Sequence, residues 1–296
     1  MQTPRRVEHQ LTDKGYVPVY TTAVVDQAWD QYTAEEHRTW AYLFERQQAL
    51  LVGRACDEFV DNQQRMGMKA DAIPKFEDLN VHLLAATGWK LIAVEGLLPE
   101  LEFFQHLAAR EFPVTWWIRK PEQIDYISEP DLFHDLFGHV PLLMNSTFAD
   151  YMQAYGAGGV RASTFGSEPL ANLTRLYWYT VEFGLINTPQ GLRIYGAGIL
   201  SSKGESIHAL EAAAPNRIGF DVKRVMRTRY RIDTFQKSYF VIDSFDDLFK
   251  ATVDPDFGPI YYDLKGAESI PAGDVLDSDR VHQRGNGEGW ALEGDV

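Results

Sequence analysis

The stretch that decides the fold and the site reads Glu129-Pro130-Asp131-Leu132-Phe133-His134-Asp135-Leu136-Phe137-Gly138-His139-Val140-Pro141. It places two histidines five positions apart in a mostly apolar run. Downstream, Glu182 stands inside a run rich in aromatic side chains, residues 176–185. A carboxylate in such surroundings is costly to bury unless a proton, a cation or a metal offsets its charge. Two imidazoles and one carboxylate match the ligand set of non-haem iron(II) sites, so the sequence predicts a metal centre.

The spacing of the two histidines is unusual for a regular helix. At roughly 100° per residue, the second side chain lies about 140° around the helix from the first. A π-type bulge would bring both onto one face, and such bulges are frequent at functional sites. Alternatively, Gly138 ends the helix and His139 folds back from the following turn, with Pro141 marking the stop.

Two other interpretations of this pair stay open at this point. Both histidines could be ordinary, hydrogen-bonded core or surface residues, as we assume for the six histidines elsewhere: His9, His37, His82, His106, His208 and His282. Two histidines and a glutamate also form catalytic zinc sites. The H-E-x-x-H motif of zinc proteases is absent, because Asp135 follows His134 and His139 lies one residue too far along.

The composition bounds the class of protein. The chain has 296 residues, 45% hydrophobic and 24% charged, which is typical of one large or two small globular domains. A net charge of −14 argues against nucleic acid and anionic membranes as partners. The single cysteine, Cys56, excludes an intrachain disulfide and thiolate-rich metal sites, and fits a cytoplasmic setting. The N-terminal residues lack an apolar signal-peptide core, and no apolar run is long enough to span a bilayer.

The periodicity predicts a mostly helical protein with a few short β-strands, an α+β fold with a single catalytic domain. We expect an irregular segment over 1–32, the catalytic domain over 33–263 and a peripheral tail over 264–296. A capping box at residues 33–36 opens a helix that runs to about Gln64 unless Gly53 interrupts it. Further helices are predicted at 74–84, 101–109, from 130, 148–155, 170–183, 222–229 and, finally, after a cap at 244–247. Strands are predicted at 91–94, 114–118, 192–195 and within 235–242.

Four motifs resemble one family in order along the chain. Residues 129–131, 134–141, 177–185 and 195–202 resemble the pterin-dependent aromatic amino acid hydroxylases, and residues 53–59 resemble their bacterial, phenylalanine-hydroxylating branch. The resemblance extends from about residue 74 to about residue 249. It implies iron(II) held by His134, His139 and Glu182, with tetrahydrobiopterin as electron donor and O2 as co-substrate. L-phenylalanine would become L-tyrosine through 4a-hydroxypterin and a ferryl-oxo species.

The resemblance also assigns the remaining site residues. Those implied to bind the pterin are Gly96, Leu97, Leu98, Phe103, Asp135 and Tyr177. Those implied to surround the substrate are Arg119, Glu129, Trp178, Phe183, Gly198, Ser201 and Ile232. Within the second set, Arg119 would receive the substrate carboxylate through its planar fork, and Ser201 would orient an iron-bound imidazole. Without the family, Phe103 would be interpreted as helix core, Arg119 as a surface arginine and Glu129 as a solvated helix start.

The chain departs from the family in places that bear on substrate and assembly. Ile127-Ser128 replaces a Thr-Pro pair, and Leu101 stands where animal relatives often carry arginine. The regulatory domain and tetramerisation helix of the animal enzymes do not fit in this chain, so we expect a monomer. An aliphatic Ile232 suits a plain phenyl ring and offers a phenol no partner. Tryptophan hydroxylation, a zinc hydrolase on the same ligands and a non-catalytic binder of aromatic amino acids remain alternatives.

Overall fold

The computed structural model describes residues 11–12, 15–16, 21–232, 234–253 and 257–288. Its α-helices are α1 Ala34–Leu50, α2 Asp57–Arg65, α3 Phe76–Ala86, α4 Glu100–Ala108, α5 Ser146–Ala162, α6 Ser167–Tyr177, α7 Ala197–Leu200, α8 Lys203–Glu211, α9 Val222–Arg227, α10 Phe245–Thr252 and α11 Gly258–Leu264. Two π-helices cover His134–His139 and Trp178–Glu182. Short 3-10 helices cover Trp29–Gln31, Pro121–Gln123 and Val140–Met144. The predicted α+β class is confirmed.

The β-strands are β1 Leu11–Thr12, β2 Gly15–Tyr16, β3 Val24–Val25, β4 Lys90–Val94, β5 Glu111–Thr115, β6 Leu185–Thr188, β7 Gly191–Ile194, β8 Asn216–Gly219, β9 Ser238–Ile242 and β10 Val281–Gln283. Strands β1 and β2 form an antiparallel pair. A three-stranded sheet has the order β3-β4-β5, and its β4–β5 pair is parallel. A five-stranded sheet has the order β10-β8-β9-β6-β7, with parallel pairs at its centre and antiparallel pairs at both edges.

The start of α1 follows from its local sequence. The Thr33 hydroxyl accepts a hydrogen bond from the Glu36 N–H at 3.2 Å, and the Glu36 carboxylate accepts one from the Thr33 N–H at 2.8 Å. This reciprocal pair is the predicted capping box, and it satisfies two backbone donors that the helix itself leaves open. The predicted interruption is also confirmed, because Gly53 adopts a φ of 71° between α1 and α2.

An aromatic core fixes the first π-helix against α1. The ring of Trp40 meets Phe133 edge-on with centroids 5.5 Å apart, and Phe44 meets Phe137 at 5.4 Å. Phe133 and Phe137 stack on each other at 4.9 Å. Aromatic pairs in such geometries add about 0.5–1.5 kcal/mol each beyond the area they bury. Two rings of α1, Trp40 and Phe44, therefore hold the segment that carries both histidines through its own Phe133 and Phe137.

The structure corrects several predicted boundaries. Strand β5 begins three residues before its predicted start. The prediction started too late because proline disfavours a strand, and Pro113 lies within β5. Strands β6 and β8 and helix α8 were not predicted. The helix capped by Ser244 was expected to be the last, which is wrong, since α11 follows it.

The described part of the C-terminal segment packs on the body of the protein. Strand β10 pairs with β8 at the edge of the five-stranded sheet. Arg224 of α9 forms a buried ion pair with Asp279, at 2.9 Å from Nε to Oδ1. The division at residue 264 stays a prediction. No helix in the described part of the chain is long and apolar enough to cross a membrane.

Candidate metal centre

The first π-helix resolves the awkward spacing of the two histidines. It begins at His134, ends at His139 and includes Gly138. A π-helix bonds residue i to residue i+5, so two residues five apart lie on the same face. The interpretation as a π-type bulge is confirmed. The alternative, in which Gly138 ends the helix, is wrong.

A second π-helix carries the carboxylate. Helix α6 was predicted to continue unchanged to Phe183, but its last turn widens into the π-helix Trp178–Glu182. The Phe183 N–H donates to the Trp178 carbonyl at 2.8 Å, five residues back. Each protein segment that supplies a member of the predicted triad is thus a π-helix, and sequence periodicity gave no sign of the second one.

The three side chains converge. The Nε2 atoms of His134 and His139 lie 3.1 Å apart. Glu182 reaches His139 Nε2 with Oε1 at 3.2 Å and His134 Nε2 with Oε2 at 3.5 Å. A divalent metal about 2.1 Å from each of three ligand atoms at right angles separates those atoms by about 3.0 Å. The donor set and its spacing therefore fit a facial two-histidine, one-carboxylate site.

Ser201 fixes the tautomer of His134. Its hydroxyl donates to the Ala197 carbonyl at 2.8 Å, so its oxygen must accept the 2.9 Å hydrogen bond from His134 Nδ1. With the proton on Nδ1, the lone pair of His134 is on Nε2 and points at the other two ligands. A lone pair there needs a cation or a proton opposite it. This arrangement is the usual support for a metal-bound imidazole.

Burial and charge tune the same groups. Burial lowers the pKa of His134 to about 4, against the attraction of the Glu182 carboxylate, so the ring is neutral near pH 7. Burial acts to raise the pKa of Glu182, but His139, His134 and the Gly198 N–H together hold it below its usual value. A neutral imidazole and an ionised carboxylate are the forms that bind metal.

Two glycines let α7 approach both π-helices. A Cβ on Gly138 would lie 2.8 Å from the Ala197 carbonyl oxygen. A Cβ on Gly198 would lie 2.8 Å from the ring of Phe183 and 3.1 Å from the Glu182 carbonyl oxygen. Only a residue without a side chain fits at either place. Gly198, one of the residues implied to bind the substrate, therefore lies beside the carboxylate-bearing π-helix.

Two of the residues implied to bind the pterin, Phe103 and Tyr177, connect to the triad through ring contacts. Phe103 of α4 meets Tyr177 edge-on with centroids 5.6 Å apart, and Tyr177 stacks near His139 at 6.3 Å. Gly96, Leu97 and Leu98 form the loop between β4 and α4, the helix that carries Phe103. Phe103 and Tyr177 therefore form an aromatic edge beside His139.

Asp135 belongs to the first π-helix, and its side chain is buried rather than open to solvent. Its Oδ2 accepts a 2.7 Å hydrogen bond from the Thr115 N–H at the end of β5. Burial raises the pKa of Asp135 to about 7, although His139 and Thr115 act in the opposite direction. One of its two carboxylate oxygens is therefore committed to the protein backbone.

Among the residues implied to surround the substrate, Trp178 and Phe183 pack together, whereas Ile232 is exposed. Trp178 packs on Phe183 at 4.6 Å and stacks on Tyr230 at 4.3 Å, forming an aromatic wall. Ile232 lies in the following loop and is 68% exposed, so it is not packed into this wall. Its neighbour Asp233 lies outside the described residues.

Arg119 is buried and already paired. Its Nε and Nη2 both donate to Asp131 at 2.9 Å. Its guanidinium carbon, Cζ, lies 5.8 Å from the centroid of the Phe133 ring. The expected two-bond contact with a substrate carboxylate cannot use this edge of the guanidinium. Glu129, two residues before Asp131, is also buried.

Asp131 was not among the predicted site residues. Besides Arg119, it accepts a 3.0 Å hydrogen bond from the His134 N–H at the start of the π-helix. Burial acts to raise the pKa of Asp131, but the charge and hydrogen bonds of Arg119 hold it low. In sequence, an aspartate after Glu-Pro indicates only a helix start, since nothing marks a partner twelve positions upstream.

Comparison with known proteins identifies the family. A sequence model of the biopterin-dependent aromatic amino acid hydroxylases matches residues 25–254. The chain is 62% identical over 270 residues to the phenylalanine-4-hydroxylase of Chromobacterium violaceum, covering 91% of this chain and 90% of that one. It is 60% identical over 272 residues to the Ralstonia nicotianae phenylalanine-4-hydroxylase, covering 92% and 86%.

Solved structures of one of these relatives are also similar to this chain in fold. A Chromobacterium violaceum phenylalanine hydroxylase with bound iron(III) and 7,8-dihydrobiopterin superposes with a TM-score of 0.84 at 59% identity, covering 89% of this chain and 94% of that one. The same enzyme with iron and phenylalanine bound gives a TM-score of 0.83 at 59% identity, covering 88% and 95%. The chain therefore belongs to the biopterin-dependent aromatic amino acid hydroxylases.

Proposed function

We propose that this chain is a phenylalanine 4-monooxygenase that converts L-phenylalanine to L-tyrosine with O2 and a tetrahydropterin. The observation that carries the proposal is the convergence of His134, His139 and Glu182, whose ligand atoms lie within 4.8 Å of one another. The names of its relatives and their iron-, pterin- and phenylalanine-bound structures support this substrate and these cofactors.

His134, His139 and Glu182 would hold iron(II). Two neutral imidazoles and one carboxylate contribute a single negative charge, so a divalent ion there keeps net positive charge and open positions. When bound, the iron and the pterin supply the electrons and the activation of dioxygen that ring hydroxylation requires. Ser201 keeps the His134 lone pair directed into the site by holding the opposite ring nitrogen.

The surrounding aromatic residues would position the two organic partners. Phe103 and Tyr177 offer ring faces and edges to a flat pterin, next to His139. Trp178 and Phe183 would form the wall for the phenyl ring, since aromatic rings pair well at centroid distances of about 4.5–7 Å. The buried Arg119–Asp131 pair would brace the start of the first π-helix, because the Asp131 carboxylate also accepts a hydrogen bond from the His134 N–H.

The setting and assembly are part of the same proposal. A single, buried cysteine is compatible with the reducing cytoplasm. We propose a monomer without bound nucleic acid, and a catalytic domain over residues 33–263 between an N-terminal segment and a C-terminal tail. Light scattering after gel filtration measures the molar mass of the assembly, which for a dimer would be twice the 33.7 kDa of one chain.

The test of the proposed function is an aerobic assay with iron(II), tetrahydrobiopterin and each of the three aromatic amino acids. We expect tyrosine from phenylalanine, at a rate that requires oxygen and pterin. His134→Ala should lose both iron and turnover while staying folded, and His82→Ala, on the exposed face of α3, should keep both.

Each other outcome points to a different function. Faster turnover of tryptophan would indicate a tryptophan hydroxylase. Hydrolysis by the zinc-loaded protein without oxygen or pterin would indicate a hydrolase. Phenylalanine binding that survives EDTA, with no product from iron-loaded protein, would indicate a non-catalytic binder.

A further inference from the structure

A buried glutamine outside the predicted site connects the substrate wall to the loop beneath it. Gln236 precedes β9 and is only 4% exposed. Its Oε1 accepts a 2.9 Å hydrogen bond from the indole Nε1–H of Trp178, and its Nε2 donates to the Arg231 carbonyl at 3.0 Å. These two contacts fix the amide orientation, because its oxygen must face the indole and its nitrogen must face the carbonyl.

The backbone of Gln236 is held as firmly as its side chain. Its N–H donates to the buried Glu205 carboxylate at 3.1 Å, and its carbonyl lies 3.3 Å from His208 Nε2. Both partners belong to α8, which lies under this loop. The Tyr239 hydroxyl also donates to Glu205, so the anchor is itself braced by β9.

We propose that Gln236 is a positioning residue that sets the angle of the Trp178 ring and thereby the size of the aromatic substrate that fits. This inference rests on the proposed function, in which Trp178 forms the wall for the substrate ring. Trp178 packs between Phe183 and Tyr230, and ring stacking alone permits the indole to slide in its own plane. A hydrogen bond in the ring plane, at Nε1, removes that freedom.

The same contact links two elements that meet at the site. Trp178 begins the π-helix that ends at Glu182, whereas Arg231 belongs to the loop that carries Tyr230 and Ile232. Gln236 holds both at once. Losing it would leave the indole N–H without its acceptor in a half-buried place, and the ring would turn to find water.

The test compares Gln236→Met, which keeps the length of the side chain but neither hydrogen bond, with Gln63→Met. Gln63 of α2 is similarly buried at 5% exposure, and its Nε2 has no hydrogen-bond partner. We expect Gln236→Met to raise KM for phenylalanine about three- to tenfold, the value of one or two lost hydrogen bonds, with a smaller change in kcat. The ratio of kcat/KM for phenylalanine to that for tryptophan should fall. Gln63→Met should leave the ratio unchanged.

A second readout does not depend on turnover. The Trp178 indole N–H resonance, assigned by its loss in Trp178→Phe, should shift and exchange faster with solvent in Gln236→Met. Effects of Trp178→Phe and Gln236→Met on the substrate ratio should also be non-additive, because each removes the same contact. An unchanged resonance together with an unchanged ratio would overturn the inference. If the unmodified protein makes no tyrosine, the proposed function fails instead, and the resonance still tests the contact.

Discussion

At the scale of single residues, one hydroxyl determines which nitrogen of His134 is available. Ser201 is committed to the Ala197 carbonyl and can only accept from the imidazole. The ring is therefore set for coordination before any ion arrives. The resemblance implied this role for Ser201, and the local geometry gives its physical reason.

Ser201→Ala should weaken iron binding because the Nδ1 proton loses its acceptor and the ring is free to turn. We expect a loss of about 10–100-fold in iron affinity, the usual effect of removing such a support. Equilibrium dialysis against iron(II) measures it. Ser206→Ala is the matched control, since Ser206 is also buried and its hydroxyl hydrogen-bonds to the Ile199 and Ser202 carbonyls. Equal affinities in the two variants would contradict this assignment.

Asp131→Asn should destabilise the fold, because it removes the buried carboxylate that pairs with the Arg119 guanidinium. Breaking one side of a buried pair has a penalty of about 3–5 kcal/mol in the free energy of unfolding. Urea denaturation measures the change. The control is Asp263→Asn, because Asp263 and its partner Lys223 are 47% and 51% exposed, and we expect its change to be much the smaller of the two. A loss of similar size in both variants would show that burial does not matter here.

At the scale of elements, the site depends on two π-helices meeting α7. The first could be inferred, because two histidines five apart suit only a widened turn or a helix end. The second could not, because the aromatic run 176–185 has no spacing that distinguishes α from π geometry. The end residues of β8, Asn216 and Gly219, are likewise typical of turns in sequence, although all four residues of the strand are buried. Such segments are strands only because neighbouring strands cover them.

Gly138→Ala tests the contact between the first π-helix and α7. The new methyl group would lie 2.8 Å from the Ala197 carbonyl oxygen, so the two elements must separate. We expect a stability loss of about 1–3 kcal/mol, as for other overpacked positions. We also expect weaker iron binding, because Ser201, which caps the end of α7, holds the His134 ring. Thermal unfolding and iron titration report the two effects. Gly258→Ala, where a methyl group meets nothing within 4 Å, should change neither.

At the scale of the whole molecule, stability should depend on pH through a histidine that is not one of the predicted iron ligands. His208 of α8 is 7% exposed and stacks on Phe235 at 4.7 Å. Burial lowers its pKa to about 4, whereas an unfolded histidine titrates near 6.5. Between these values the unfolded chain binds a proton that the folded chain does not. Stability from this group is therefore complete above about pH 6.5 and falls as the pH is lowered toward 4.

His208→Gln should reduce this acid sensitivity, because glutamine can keep a donor near the Gln236 carbonyl but cannot be protonated. Unfolding free energies from pH 4 to 8 should give a shallower slope below pH 6.5 for the variant. Above that pH the two curves should run parallel, which serves as the internal control. Parallel curves over the whole range would contradict the assigned burial effect.

The sheet edge closed by β10 has a consequence for biogenesis. Of the described strands, β10 is the last to leave the ribosome, yet its partner β8 is made more than sixty residues earlier. Until residues 281–283 emerge, the outer edge of β8 presents unpaired amide and carbonyl groups to the cell, a surface on which other chains can aggregate. A chain terminated after α11 would contain all three residues of the triad but would expose the edge of β8. We therefore expect the chain to be most prone to aggregation, and to need chaperones most, in the last stage of translation.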